Sequence, residues 1–221
     1  FAAEVLFPEA YTPGTTIFMD GASFADEQVN NLVGPCTDME TLRMYETDAL
    51  FPRDLPLTRA TLIDSLNTGH YGVVNQIGHG YFFNMSVGDA NFMTTDADNL
   101  TNGNHQFLLF GLNCASAAFD NSCLMERFLQ NPNGGAVCAL GSVREAFPTA
   151  ANYYQQEFFS QMYCLGEYRV GRLMALSRLP FLAATVDNYL DRWTYENYTL
   201  LGDPALALWS AAPKAITVTA P

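Results

Sequence analysis

Short apolar runs alternate with helical spacings along the chain, and that alternation predicts βα units around a mainly parallel sheet. Residues 1–7 read as a first strand, 23–33 as a helix and 42–46 as a short strand. Thr58 fits the N-cap of a helix ending near Asn67, with Gly69 as its stop signal. The run 72–78 suits a buried strand, and the polar stretch 84–104 reads as loop with one turn of helix. Residues 106–113 carry the strongest strand pattern, because Phe107, Leu108, Leu109, Phe110 and Leu112 crowd into eight positions. A helix over 122–129 and a buried strand over 135–141 follow. From 149 to about 198 the pattern is helical, broken near Gly166 and Pro180, and 206–209 reads as a last short strand. The tail from Ala211, rich in Ala, Pro and Thr, reads as a linker or the start of another domain. The expected architecture is an α/β fold: an open, mainly parallel sheet with helices on both faces, forming one domain over residues 1–210, with 211–221 as the linker.

Composition narrows the partners. Apolar residues make up 49% and charged residues 15%, enough apolar surface to offset chain entropy in one core. The formal charge of −13 argues against nucleic acid, whose phosphates are neutralised by Lys and Arg, and against an anionic membrane surface. Solvation, attraction of basic substrates and bound cations all remain open as reasons for the acidity. No apolar run approaches the ~18 residues needed to cross a bilayer. The chain opens inside a strand pattern and reads as an excised piece of a longer precursor, with any secretion signal upstream.

The five cysteines form no CxxC pair, and with three histidines no zinc pattern emerges. An odd count leaves at least one thiol unpaired unless it bonds another chain. Cys138 sits in an apolar run and reads as core; Cys36, Cys123 and Cys164 are open to either state.

Two strand ends carry reactive chemistry. One run ends in Ile77-Gly78-His79-Gly80 and the other in Leu112-Asn113-Cys114-Ala115. Ligands of open α/β sheets gather at such carboxyl ends. A cysteine after an apolar strand is by default a small core hydrophobe. A cysteine and a histidine at the ends of successive sheet strands are more informative than either alone. A thiolate at Cys114 would attack, and His79 would protonate the leaving group. The glycines beside His79 clear space around the imidazole. The backbone N–H groups of Gly80 and Cys114 are candidate oxyanion donors, each worth about 10²–10³ in rate.

The segments VVNQIGHGYFFNM, FLLFGLNCASAAFDNSCLMERFLQNPNGGAVCALGSV and LLGDPALALW resemble the gingipain family of caspase-like cysteine peptidases. The matching landmarks are His79-Gly80, Cys114, Phe119-Asp120, Glu126, Gly134-Gly135, Gly141-Ser142 and Gly202-Asp203-Pro204, across residues 61–209. The resemblance implies an endopeptidase acting through an acyl-enzyme, with Cys114 as nucleophile and His79 as acid–base. It also implies a Glu at the end of the first strand that orients the His, here Glu4. Where relatives carry a specificity-pocket acid before the first helix, this chain offers Asp20 or Asp26, with Ala22 nearest by counting, and Asp20 is the candidate; no acid falls cleanly after Phe147 where some relatives carry one. Arg144 is an alternative pocket residue for an acidic side chain; its plain reading is a surface arginine paired with a nearby acid such as Glu145. Structural calcium is common in such domains, and Asp89, Asp96, Asp98 and Asp120 are its candidate ligands, although they match no EF-hand spacing. Gly202-Asp203-Pro204 reads as a turn returning the chain to the sheet. The resemblance implies no cofactor for catalysis, a protein or peptide substrate, neighbouring domains in a longer precursor, and a secreted or cell-surface location. A sortase-like transpeptidase, a thiol-dependent esterase or amidase, and a degenerate scaffold domain are the alternatives.

Overall fold

The computed structural model describes residues 1–8 and 18–209. The tail read as a linker from Ala211 lies outside the described residues. Twelve strands are described: β1 (Ala2–Ala3), β2 (Val5–Phe7), β3 (Met19–Asp20), β4 (Met44–Tyr45), β5 (Leu55–Pro56), β6 (Val73–Ile77), β7 (Gly80–Tyr81), β8 (Asn84–Val87), β9 (Ala90–Met93), β10 (Phe107–Leu112), β11 (Ala136–Ser142) and β12 (Tyr198–Leu201). The helices are α1 (Gly21–Gln28), α2 (Gly34–Cys36), α3 (Arg59–Thr68), α4 (Thr94–Asp98), α5 (Leu124–Gln130), α6 (Pro148–Phe159), α7 (Val170–Leu176), α8 (Ala184–Asp187) and α9 (Tyr189–Asn197).

Seven strands form the main sheet in the order β12-β11-β10-β6-β1-β4-β5. Every pairing in it is parallel except β11 with β12. From β1 the chain builds outward to β4 and β5, then returns to β6 on the other flank and continues to β10 and β11. The reversal falls between β1 and β6, where a doubly wound sheet opens a crevice at its carboxyl edge.

Alternation along β10 explains the layers. Leu108, Phe110 and Leu112 point to a core shared with α1, α6 and α7, whereas Phe107 and Leu109 point to a second core under α3, α4 and α5. The helix α3 begins at Thr58 with a reciprocal capping box to Thr61 and ends at Gly69, as its sequence signals predict.

Several expectations are corrected. The first strand is two short pieces, split at Glu4, because β1 joins the main sheet while β2 pairs antiparallel with β3. The helix expected over 23–33 starts earlier, at Gly21, and runs on through a π-helical turn (Val29–Val33) into α2. The stretch read as loop, 84–104, holds the antiparallel strands β8 and β9 and then α4. Its polar strand residues Asn84, Ser86 and Asn91 are half-buried or exposed while Met85, Val87 and Phe92 are buried, so the apolar signal is diluted to alternate positions. The edge strand is β12, drawn from the end of the segment read as helical. Residues 206–209 form no strand; Ala207 makes a single bridge to Arg169. Gly202-Asp203-Pro204 therefore leads the chain off the sheet and onto α7, where the Gly171 N–H meets the Pro204 carbonyl at 2.9 Å.

Candidate active site

The register of β6 with β10 brings the two reactive ends together. Leu112 stands opposite Ile77, so Cys114 and His79 each lie two residues beyond the same rung of adjacent strands. Strand neighbours are about 4.8 Å apart. Gly80 closes the approach: a Cβ there would stand 3.0 Å from both the Cys114 carbonyl oxygen and the Asn113 Cγ. Glu4 follows β1 on the other flank of β6, and Ser142 ends β11 beyond β10.

Cys114 is half-buried just past the carboxyl end of β10, while Cys123 and Cys138 are sealed in the core. Burial raises the Cys123 thiol and pushes Cys138 up to about 12, which leaves both inert. Ala146 N–H points at the Cys114 sulfur across 3.4 Å. Ala115, next in sequence, takes a left-handed φ of +54°, so the chain turns sharply just past the sulfur. Its N–H is anchored on the Arg144 carbonyl at 2.8 Å. Below the turn runs a buried polar chain: Asn113 Nδ2 donates to Gln76 at 2.6 Å, Gln76 donates to the Ser86 carbonyl at 3.1 Å, and the Ser116 hydroxyl bonds Asn113. Every member has a partner, as a buried amide requires.

His79 Nε2 lies 2.9 Å from the Leu6 carbonyl oxygen. A carbonyl only accepts, so Nε2 carries the proton and, in the neutral ring, Nδ1 holds the lone pair. The ring also meets Phe7 edge-on, with centroids 6.1 Å apart. Glu4 grips the backbone under His79: Oε2 takes its N–H at 3.0 Å, and Oε1 takes the Ser86 hydroxyl at 2.6 Å and the Gly88 N–H at 2.9 Å. Gly78 must lack a side chain, since a Cβ there would fall 2.4 Å from that carboxylate. Burial raises the Glu4 carboxyl above its ordinary value, and nearby Glu46 adds to the rise.

Asp20 caps α1 through Oδ1, which takes the Ala22 N–H at 2.9 Å. It is only 4% exposed, and among the described residues its Oδ2 has no hydrogen-bond partner. Burial raises its pKa, and Glu46 contributes again. Its strand β3 pairs with β2, which carries the Leu6 carbonyl that holds His79.

Arg144 is committed to Asp120 through two contacts of 3.0 Å; Asp120, and not Glu145, is its partner. Phe147 is half-buried at the N-cap of α6, one residue beyond the N–H that faces the sulfur. The exposed rings of Tyr81, Phe83 and Phe119 stand in the segments just past His79 and Cys114.

The sequence profile of peptidase family C25 matches residues 9–209. The chain belongs to this family, the gingipain family of cysteine peptidases. Among curated proteins none matches the chain. Among solved structures, the Arg-specific cysteine proteinase gingipain R superposes with a TM-score of 0.77 at 20% identity, covering 99% of this chain and 49% of that one. The complex of the pro- and mature domains of Porphyromonas gingivalis gingipain R gives 0.74 at 20% identity, over 99% and 50%. Another solved protease gives 0.71 at 20% identity, over 91% and 47%. The chain thus spans about half the length of the structures it matches, and the shared fold is the mostly parallel sheet flanked by helices.

The acids named as calcium ligands for this family member are not brought together. Asp96 receives the Arg59 guanidinium and the Met93 N–H, and Asp98 receives Arg127 through two bonds of 2.7 Å. Asp89 is exposed in the turn between β8 and β9. Among the described residues no three His, Cys, Asp or Glu side chains are grouped to hold a metal ion. Carboxylates committed to arginines do not fit a calcium cage.

Sequence reasoning missed the Leu6 carbonyl, the Ala146 N–H and the anchors of Glu4 at Ser86 and Gly88. Backbone groups leave no mark on composition. Gly88 alone carried a signal, as a glycine at φ +74° in a polar turn.

Proposed function

We propose that this chain is the catalytic domain of a secreted cysteine endopeptidase that works through Cys114 and His79. The observation that carries the reading is the shared rung, Leu112 opposite Ile77, from which both side chains depart. The thiolate of Cys114 attacks the scissile carbonyl carbon; a C–S bond forms and the C=O π pair moves onto oxygen. The N–H groups of Gly80 and Cys114 receive that oxyanion. Collapse breaks the C–N bond, and protonated His79 gives its Nδ1 proton to the departing amine. Water then attacks the thioester, His79 takes a proton from it, and the sulfur leaves to regenerate the site. Glu4 and the Leu6 carbonyl position His79 from its backbone and from Nε2.

A basic residue before the scissile bond is the preference that fits best. Among the described residues the buried Oδ2 of Asp20 lacks a hydrogen-bond partner, which a guanidinium or ammonium would supply. The Arg-specific cysteine proteinase gingipain R shares the fold. An oxidising location is supported by the Cys36–Cys164 disulfide. Residues 1–210 act as one catalytic domain within a longer precursor.

Turnover of a fluorogenic peptide library tests the reading. The expectation is cleavage after Arg or Lys, abolished by Cys114→Ala and reduced at least 10²-fold by Asp20→Asn. Products joined to an added amine would favour transpeptidation, and absence of turnover in the folded wild type would favour a scaffold.

A further inference from the structure

The loop 143–146 faces the nucleophile on one side and α9 on the other. Toward the nucleophile, Ala146 N–H meets the Cys114 sulfur at 3.4 Å, and the Arg144 carbonyl holds the Ala115 N–H at 2.8 Å. Toward α9, Asn197 Oδ1 accepts the Arg144 N–H at 2.7 Å, and its Nδ2 donates to the Glu145 carbonyl at 2.8 Å. The Asn197 main-chain carbonyl takes the Val143 N–H at 3.1 Å. The Trp193 indole N–H adds a second donor to the Glu145 carbonyl at 2.6 Å. Asn197 is 5% exposed, so its two side-chain bonds are partly shielded from water, while the Trp193 bond lies at the surface. Its partners are a backbone donor and a backbone acceptor, and only one orientation of the amide satisfies both.

We propose that Asn197 is a positioning residue for the thiol chemistry, holding the main chain of Arg144 and Glu145 so that the Ala146 N–H stays against the Cys114 sulfur. The inference rests on the reading of Cys114 as nucleophile. An N–H aimed at sulfur interacts more strongly with the thiolate than with the thiol, because a charged acceptor roughly doubles a hydrogen bond. Asn197 acts wholly through the loop.

The test is the alkylation rate of Cys114 by iodoacetamide, followed by peptide mass spectrometry at pH 6 and pH 9. It compares wild type, Asn197→Ala and Trp193→Phe. Asn197→Ala is expected to slow the reaction at pH 6 about tenfold and at pH 9 by less than about twofold. Trp193→Phe is expected to slow it about threefold at pH 6 only, and it carries the test if Asn197→Ala does not fold. No loss, or an equal loss at both pH values, in whichever variant folds overturns the proposal. Failure of the underlying reading looks different: wild-type Cys114 would then react at pH 6 no faster than a cysteine in an unfolded peptide, and His79→Ala would change nothing.

Discussion

Ala115 holds a left-handed backbone that costs a residue with a Cβ about 1–2 kcal/mol. Replacing it by Gly removes that cost but adds unfolded-chain entropy. Ala115→Gly is therefore expected to stabilise the fold by about 0.5 kcal/mol, and Ala115→Val to destabilise it by more than ~1 kcal/mol, as read by denaturant unfolding. A stabilising Val would contradict the strain. Glu4 makes a prediction about pH. Burial raises its carboxyl, so its contribution to stability is full below the ordinary value of 4.5 and is lost as pH rises through the raised value. The unfolding free energy of wild type minus that of Glu4→Gln should fall between pH 4 and 7; a difference that grows across that range would contradict the assignment. At this scale the sequence singled out the two side chains proposed to react, because Cys114 and His79 stand beside small residues at apolar strand ends. It hid what holds them. The Leu6 carbonyl and the Ala146 N–H are groups every residue possesses, and only the fold selects which ones meet the site.

Among elements, α1 and α6 both start near the site and run away from it. The span Gly21–Cys36 covers about 24 Å at 1.5 Å per residue. At the far end Cys36 and Cys164 form a disulfide that closes a loop of 128 residues. Chain entropy gives such a crosslink an upper value of about 5 kcal/mol, and measured cases span roughly 2–5 kcal/mol. The double variant Cys36→Ser, Cys164→Ser should lose stability in that range while peptide turnover at 25 °C stays within about twofold. Equal stability with and without the bond would contradict the staple. Cysteine counting left the pairing open, since spacing along the chain says nothing about which helix ends meet. The helical reading of 149–198 failed at its end for a related reason. Tyr198–Leu201 gains its strand form by pairing with β11, a contact that local periodicity does not contain.

For the whole molecule, the sheet order decides which side chains meet at the candidate site. Apolar alternation sufficed to predict a mainly parallel sheet with two helical layers. The neighbour relations β1-β6-β10-β11 place Glu4, His79, Cys114 and Ser142 at successive carboxyl ends. That order follows from crossover packing and not from any single segment. The net charge of −13 adds a long-range field. For a substrate with several basic residues, kcat/KM should fall about threefold between 20 and 300 mM salt, with an uncharged peptide ester little affected. The reverse dependence would remove electrostatic attraction from the account. The most direct measurement is mass mapping after incubation with a peptidyl acyloxymethyl ketone ending in Arg. The account predicts one thioether, on Cys114, lost in His79→Ala and unaffected by changes at Cys123 or Cys138. A folded wild-type protein that forms no adduct, or forms it elsewhere, would contradict the pairing of thiol and imidazole.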